Sequence, residues 1–224
     1  RCRFRDILER GAGKMNPQQL RLYAVTDRSW LKPGETLAEV VETLLKAGVT
    51  CVQLREKGAE DALILQEARE LKALCHRYGV PFLVNDRPDL AQAVGADGVH
   101  VGQEDTGLTE ARNLLGPNAL LGGSAHTVEE ALAAQAAGAD YLGCGAVFGS
   151  GTKHNVSQMP LETLTAICQA VDIPVVAIGG VSLDNLPLLA DTGIAGVAVI
   201  SGLFAADDKT EAAQAFLRQL EGLV

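Results

Sequence analysis

A closed (β/α)8 barrel is the fold this sequence predicts, and three observations predict it. The first is an internal echo: "KAGVTCVQLR" (46–55), "AVGADGVHVG" (93–102), "AAGADYLGCG" (136–145) and "DTGIAGVAVI" (191–200) share one pattern. Each reads as the end of an apolar-periodic helix, a glycine cap at Gly48, Gly95, Gly138 or Gly193, and then a short β-branched strand. The glycines recur at 47, 43 and 55 residues, a spacing that fits two strand–helix units and not one. The second observation is that the strands between the echoes are continuous apolar runs, as in parallel sheets buried on both faces. The third is size: 224 residues, 47% apolar, with 24 glycines and 4% aromatics, match a single barrel with many tight turns. A doubly wound open sheet is the alternative, but it has little use for four matching quarters.

The elements follow in order. "RLYAVTD" (21–27) is the first strand and 36–47 the first helix. The first echo supplies the second strand, and 60–78 has helical periodicity. "VPFLVND" (80–86) is the third strand, the second echo the fourth and "NALLGGS" (118–124) the fifth. A helix over 127–137 leads into the third echo and the sixth strand, and another over 161–171 into "IPVVAIGG" (173–180), the seventh. The fourth echo is the eighth strand, and 210–221 the closing helix. Every strand is thus expected to precede a helix-like segment.

Residues 15–224 form the barrel in this reading, and "MNPQQLRLYAVTD" reads as a natural start. Residues 1–14 are expected to be an extension, upstream-derived or poorly ordered; they are basic but lack the apolar core of a secretory signal. The net charge of −9 argues against nucleic-acid and membrane-surface partners, which are bound through basic patches. No apolar run approaches the roughly 20 residues of a membrane span. The five cysteines are odd in number and form no C-x-x-C, so reduced thiols in a cytoplasmic setting fit them better than a metal or disulfide framework. The oligomeric state, including a homo-oligomer, is left open.

In a barrel of this kind the active site gathers at the carboxyl ends of the strands. The second strand ends "QLREK", where Gln53, Arg55 and Lys57 alternate with apolar residues and so share a face. The third ends with Asn85 and Asp86, the fourth with His100, Gln103, Glu104 and Asp105. Oxygen donors from neighbouring strand ends suit Mg²⁺, which takes one or two carboxylates plus substrate phosphates. On the residues alone, Asp86 and Asp105 serve equally as helix N-caps. Ser124 and His126 end the fifth strand, where Ser124 could cap the next helix; Cys144 reads as a packed thiol. Gly179-Gly180 and Ile200-Ser201 form small-residue turns after the seventh and eighth strands, the usual phosphate position of this fold. "CGAVFGSGTKHN" (144–155) follows the sixth strand; it is rich in glycine and hydroxyls but is no Walker motif, because Thr152 precedes Lys153. Two anion sites, and hence two phosphorylated substrates, account for this distribution.

The motifs "LYAVTD", "QLREK", "VND", "GVHVGQED", "SAHT", "GADYLGCGAVF…TK", "VVAIGG" and "VAVIS", in this order, resemble those of the thiamine phosphate synthase family from Leu22 to about Ala206. The resemblance implies condensation of a hydroxymethylpyrimidine diphosphate with a thiazole phosphate, with early cleavage of the C–O bond to the diphosphate and Mg²⁺ as cofactor. It implies that Gln53, Arg55, Lys57, Asn85, Ser124 and Lys153 hold the diphosphate, Lys57, Ser124 and Lys153 with catalytic roles. Asp86 and Asp105 would bind Mg²⁺. Ser150, Thr152, Gly180, Ile200 and Ser201 would hold the thiazole phosphate, and Tyr23 and His100 would line the pyrimidine pocket. "GAVFGSGTK" departs from the family's usual prolines, and Ser150 stands where a threonine is common. Two rivals are a thiazole tautomerase on the same barrel and a non-catalytic phosphate-ligand-binding barrel.

Overall fold

The structure, a computed structural model, describes residues 15–102, 107–149 and 158–224. Eight parallel strands close on themselves in chain order: β1 (Leu22–Val25), β2 (Cys51–Leu54), β3 (Phe82–Asn85), β4 (Gly98–Val101), β5 (Leu120–Ala125), β6 (Tyr141–Gly145), β7 (Val175–Ile178) and β8 (Gly196–Val199). Pairing of Tyr23 with both Cys51 of β2 and Ala198 of β8 completes the ring. Around it lie α1 (Leu37–Ala47), α2 (Asp61–Arg77), α3 (Pro88–Val94), α4 (Leu108–Leu115), α5 (Val128–Ala136), α6 (Leu161–Ala170), the single turn α7 (Ser201–Phe204) and α8 (Lys209–Leu220).

The local causes are visible in α1. Thr36 accepts from the Glu39 amide while the Glu39 carboxylate accepts from that of Thr36, which satisfies donors the first turn leaves unpaired. Val40, Val41, Leu44 and Leu45, at helical spacing, bury one face. Gly48, at φ 108°, then stops the helix in a left-handed conformation, and the Val49 amide returns to the Leu44 carbonyl. A side chain at Gly48 would be strained by the backbone and would also meet Leu217 at 2.8 Å.

Two separate apolar layers result. Alternate residues of each strand face outward, such as Leu22, Ala24, Val52, Leu54, Phe82 and Val84, and pack with the helices into an annular core. The others face inward, and Leu20, Tyr23, Cys51, Leu83, Tyr141 and Val176 fill the lower barrel. Met15, 4% exposed, joins this inner cluster from below. Residues 1–14 lie outside the described residues.

The echoes have a structural meaning beyond their glycines. The residue just before each even strand, Thr50, Asp97, Asp140 or Ala195, donates its amide to a carbonyl of the preceding odd strand: Leu22, Phe82, Leu121 or Val175. In the first three the side chain returns the bond, accepting from the amides of Leu22, Phe82 and Leu121 at 3.0, 2.8 and 2.8 Å. Asp97 also pairs with His76 of α2 and Asp140 with Arg112 of α4, each from the helix before the odd strand. The fourth echo differs: Ala195 has no polar side chain, and no α-helix ends at Gly193. After β7 there is only a 3-10 turn, Leu186–Leu189, because its two buried leucines stand three apart, the period of that tighter helix. The helix-like segment expected after each strand is thus, after the seventh, a single 3-10 turn.

Candidate active site

Inward alternation carries past the last strand residues, so a cavity open to solvent forms at the carboxyl ends of the strands. Tyr23, Gln53, Arg55, Lys57, Asn85, Asp86, His100, Ser124 and Ile200, all expected at the site, line it. Val25, His126, Val176, Ile178 and Ala198 complete the wall. Arg55 and Lys57 do share a face, that of the cavity, and bring two cations to one side of its mouth.

The floor is a chain of hydrogen bonds running across the barrel. Gln53 Nε2 donates to the Tyr23 hydroxyl at 2.5 Å, and the two tyrosine hydroxyls, Tyr23 and Tyr141, lie 2.8 Å apart. Tyr141 meets His100 Nδ1 at 2.9 Å, and His100 Nε2 lies 3.1 Å from Ser124 Oγ. Five side chains from β2, β1, β6, β4 and β5 are thereby fixed to one another. Burial pushes both phenols well above their usual pKa, so the floor presents neutral hydroxyls and no phenolate. Glycines make the room: a Cβ at Gly122 would lie 2.3 Å from the Tyr141 ring and 2.4 Å from His100, and one at Gly143 would lie 3.0 Å from His100. Tyr141 was not a predicted site residue; nothing in "GADYLGCG" distinguishes it from a core aromatic.

Asp86 resolves one of the two open readings. The N-cap of α3 is Arg87, and Asp86 makes no cap; it sits at φ 59° with its amide on the His100 carbonyl. Its carboxylate accepts from Asn85 Nδ2 at 2.6 Å and from the Gly102 amide at 3.2 Å. Carboxylate oxygens keep further lone pairs, so an oriented oxygen donor on the cavity wall fits the hard-ligand chemistry of Mg²⁺. Arg87 grips Asp61 of α2 and Asp89 of α3, lowering the pKa of both carboxyls and anchoring the loop that carries Asp86. Asp105, its expected companion, lies outside the described residues, although the N-cap of α4 is Gly107. Ser124 is no cap either, because Thr127 caps α5.

On the opposite side, Gly179 and Gly180 take φ of 97° and 66°. A Cβ on Gly180 would strike the Phe148 carbonyl at 2.6 Å, and one on Gly179 would strike Ala146 at 2.5 Å. The chain after β6 therefore rests directly on this turn. The Met159 amide donates to the Ala146 carbonyl at 2.7 Å, and Gln158 Nε2 to that of Val147 at 3.1 Å, which joins the chain after β6 to the residues that lead into α6. Ser150, Thr152 and Lys153 lie outside the described residues. Gly180 is exposed beside the cavity, and exposed Ser201 begins α7 just after Ile200. Gly179-Gly180 forms the small-residue turn expected after β7 but opens no helix directly; the next helical turn begins at Leu186. Cys144 faces the annular core, and burial pushes its thiol up to about 12. It is a packed thiol.

Among the described residues, no group of three or more metal-ligating side chains occurs and no helix is long and apolar enough to cross a membrane.

A closed (β/α)8 barrel with cations, amides and a carboxylate around a hydrogen-bonded polar floor defines a class: barrel proteins with a polar small-molecule cavity at the carboxyl ends of their strands. Comparison with known proteins narrows this. The family model described as thiamine monophosphate synthase matches residues 22–203, and the chain belongs to that family. Over 210 residues it is 45% identical to thiamine-phosphate synthase 2 of Streptococcus pneumoniae, covering 94% of this chain and all of that one. It is 49% identical over 205 residues to the thiamine-phosphate synthase of Chloroflexus aurantiacus, covering 91% and 92%. Among solved structures, the thiamine phosphate pyrophosphorylase of Pyrococcus furiosus superposes with a TM-score of 0.84 at 38% identity, covering 92% and 98%.

Proposed function

We propose that the chain condenses 4-amino-2-methyl-5-hydroxymethylpyrimidine diphosphate with 4-methyl-5-(2-phosphoethyl)thiazole, giving thiamine phosphate and pyrophosphate. Membership of the family supports the reaction. The observation that carries the reading in the site itself is the pairing of a cationic rim, Arg55 and Lys57, with a hydrogen-bonded polar floor whose phenols stay neutral. A tautomerase acting on the thiazole half alone has no use for a diphosphate rim.

The chemistry required is modest. The methylene C–O bond breaks with its electron pair going to the diphosphate, and the thiazole nitrogen lone pair forms the new C–N bond. The protein must stabilise charge growing on the leaving oxygens and align the two rings. Arg55, Lys57 and Asn85 receive the diphosphate, joined by Lys153, while Ser124 Oγ, held by His100, marks its inner end. Tyr23 and His100 orient the pyrimidine over the floor, and Gln53, bonded to the Tyr23 hydroxyl, joins the residues that hold the diphosphate. Phenols kept neutral by burial offer no oxyanion to capture the electron-poor methylene. Ser150, Thr152, Gly180, Ile200 and Ser201 hold the thiazole phosphate on the far side. Asp86, with Asp105, would hold Mg²⁺, which when bound neutralises the diphosphate.

The test is direct. Purified protein supplied with both substrates and Mg²⁺ should release thiamine phosphate and pyrophosphate in equal amounts, and chelation of Mg²⁺ should stop turnover. Isomerisation of a thiazole phosphate without the pyrimidine substrate would instead identify a tautomerase. Absence of both activities would identify a binding barrel.

A further inference from the structure

Between the two cations of the rim lies an acidic residue that the reaction does not explain. Alternation sends Arg55 and Lys57 into the cavity and Glu56 the opposite way, where its side chain is 3% exposed. There it accepts from Arg28 Nε at 2.7 Å, and Arg28 Nη2 also donates to Glu67 of α2. Arg28 belongs to the 3-10 turn Arg28–Trp30 that follows β1. The same segment holds the rim a second time: the Arg55 amide donates to Thr26 Oγ1 at 2.9 Å, and the Thr26 amide to the Gln53 carbonyl at 3.0 Å. The stretch 53–56 is therefore stitched to 26–28 through backbone on its inner side and through an ion pair on its outer side.

We propose that Glu56, clamped by Arg28, is a positioning residue for the cationic rim, fixing the backbone from which Arg55 and Lys57 reach the diphosphate. The inference rests on the reading of that rim as the diphosphate site. Its physical basis is that strand hydrogen bonding ends at Leu54, so the direction of the next three side chains depends on what anchors residue 56. A buried carboxylate is a costly anchor for the fold: burial raises the pKa of Glu56 even with Arg28 beside it, so holding it ionised opposes stability at neutral pH. A group that costs stability yet fixes two substrate-facing cations has the character of a functional device.

The experiment measures inhibition by inorganic pyrophosphate, both KM values and the melting temperature for Glu56→Ala, Glu56→Gln, Arg28→Met and the double variant Arg28→Met/Glu56→Ala. Glu56→Ala should weaken pyrophosphate binding and raise the KM of the pyrimidine diphosphate by about tenfold, the scale of one charge-assisted hydrogen bond. The thiazole phosphate KM should stay within about twofold, since its loops lie across the barrel. Glu56→Gln, which still accepts from Arg28, should recover part of the loss with a melting temperature no lower than that of the parent. Arg28→Met should reproduce Glu56→Ala, and the double variant should be no worse than either single change. Unchanged pyrophosphate binding in Glu56→Ala and Arg28→Met overturns the proposal, as does a parallel rise of both KM values with a lowered melting temperature in all variants. If Glu56→Ala does not fold, Glu56→Gln and Arg28→Met carry the same test. Failure of the parent protein to form thiamine phosphate would strike the functional reading, whereas normal turnover with insensitive variants would strike only this one.

Discussion

The two ends of the barrel use carboxylates in opposite ways. At the amino end of the strands, Asp97 and Asp140 are consumed internally: each accepts from a strand amide and also meets a basic side chain, His76 of α2 or Arg112 of α4. At the carboxyl end, Asp86 is oriented by Asn85 and Gly102 but faces the cavity. The lower carboxylates hold neighbouring strands together, and the upper one is presented to whatever enters. The comparison teaches that residue type says little here; what decides a role is whether the surroundings use up a side chain's hydrogen-bonding capacity.

Substitution should separate the two ends. Asp86→Ala should lower kcat by about a hundredfold or more, the scale seen when a group stabilising transition-state charge is removed, with a nearly unchanged melting temperature. Steady-state kinetics over a Mg²⁺ titration, beside calorimetry, will check it; near-normal Mg²⁺-dependent turnover would remove Asp86 from the metal site. Asp140→Ala should do the reverse. It strands the buried Leu121 amide and removes the carboxylate partner of Arg112, which keeps its carbonyl acceptors, at a cost of about 1–3 kcal/mol, while kcat per folded molecule stays within about twofold. Denaturant unfolding combined with turnover measures both.

Between the ends sits the tyrosine pair, where an intermediate result is expected. Tyr141→Phe keeps the ring that fills the lower barrel and deletes the hydroxyl joining Tyr23 to His100. Stability should change by about 1 kcal/mol, and kcat/KM should fall by about tenfold, mainly through the pyrimidine substrate. Equal rises in both KM values would show that the hydroxyl serves packing alone.

The smallest effect is a dependence on alkaline pH. Burial pushes Cys75 and Cys144 from the ordinary 9 up to about 12, and Cys168 to about 11. The unfolded state therefore loses these protons first. The stabilisation they give is complete below pH 9 and is lost as pH rises through 9 toward 12. Melting temperature should be flat between pH 7 and 8.5 and decline above 9. At pH 8 iodoacetamide should leave Cys75 and Cys144 unmodified in the folded protein and alkylate them in denaturant.

Much of this was legible in the sequence because it is local. Continuous apolar runs gave strands buried on both sides, glycines after periodic segments gave helix ends, and alternation in "QLREK" put Arg55 and Lys57 on one face. The short turn at 186–189 escaped notice because its leucines resemble the start of a longer apolar helix face. Asp86 stayed open between cap and ligand because both uses ask for a carboxylate at a strand end; the structure removes the cap reading, because Arg87 takes the N-cap position of α3.

What the sequence by itself determined, then, is the repeat, the strand–helix order and the face on which each charged residue stands, since all three follow from periods of two and 3.6 residues along one chain. The tertiary structure alone decided the floor and the clamp. Tyr23 and Tyr141 are 118 residues apart, and Arg28 and Glu56 are 28 apart. Such partners meet because eight strands close into a ring, which brings β1 beside both β2 and β8 and leaves room at Gly122 and Gly143 for Tyr141 and His100. Closure is a property of the whole sheet, and no single stretch of the chain encodes which hydroxyl will face which.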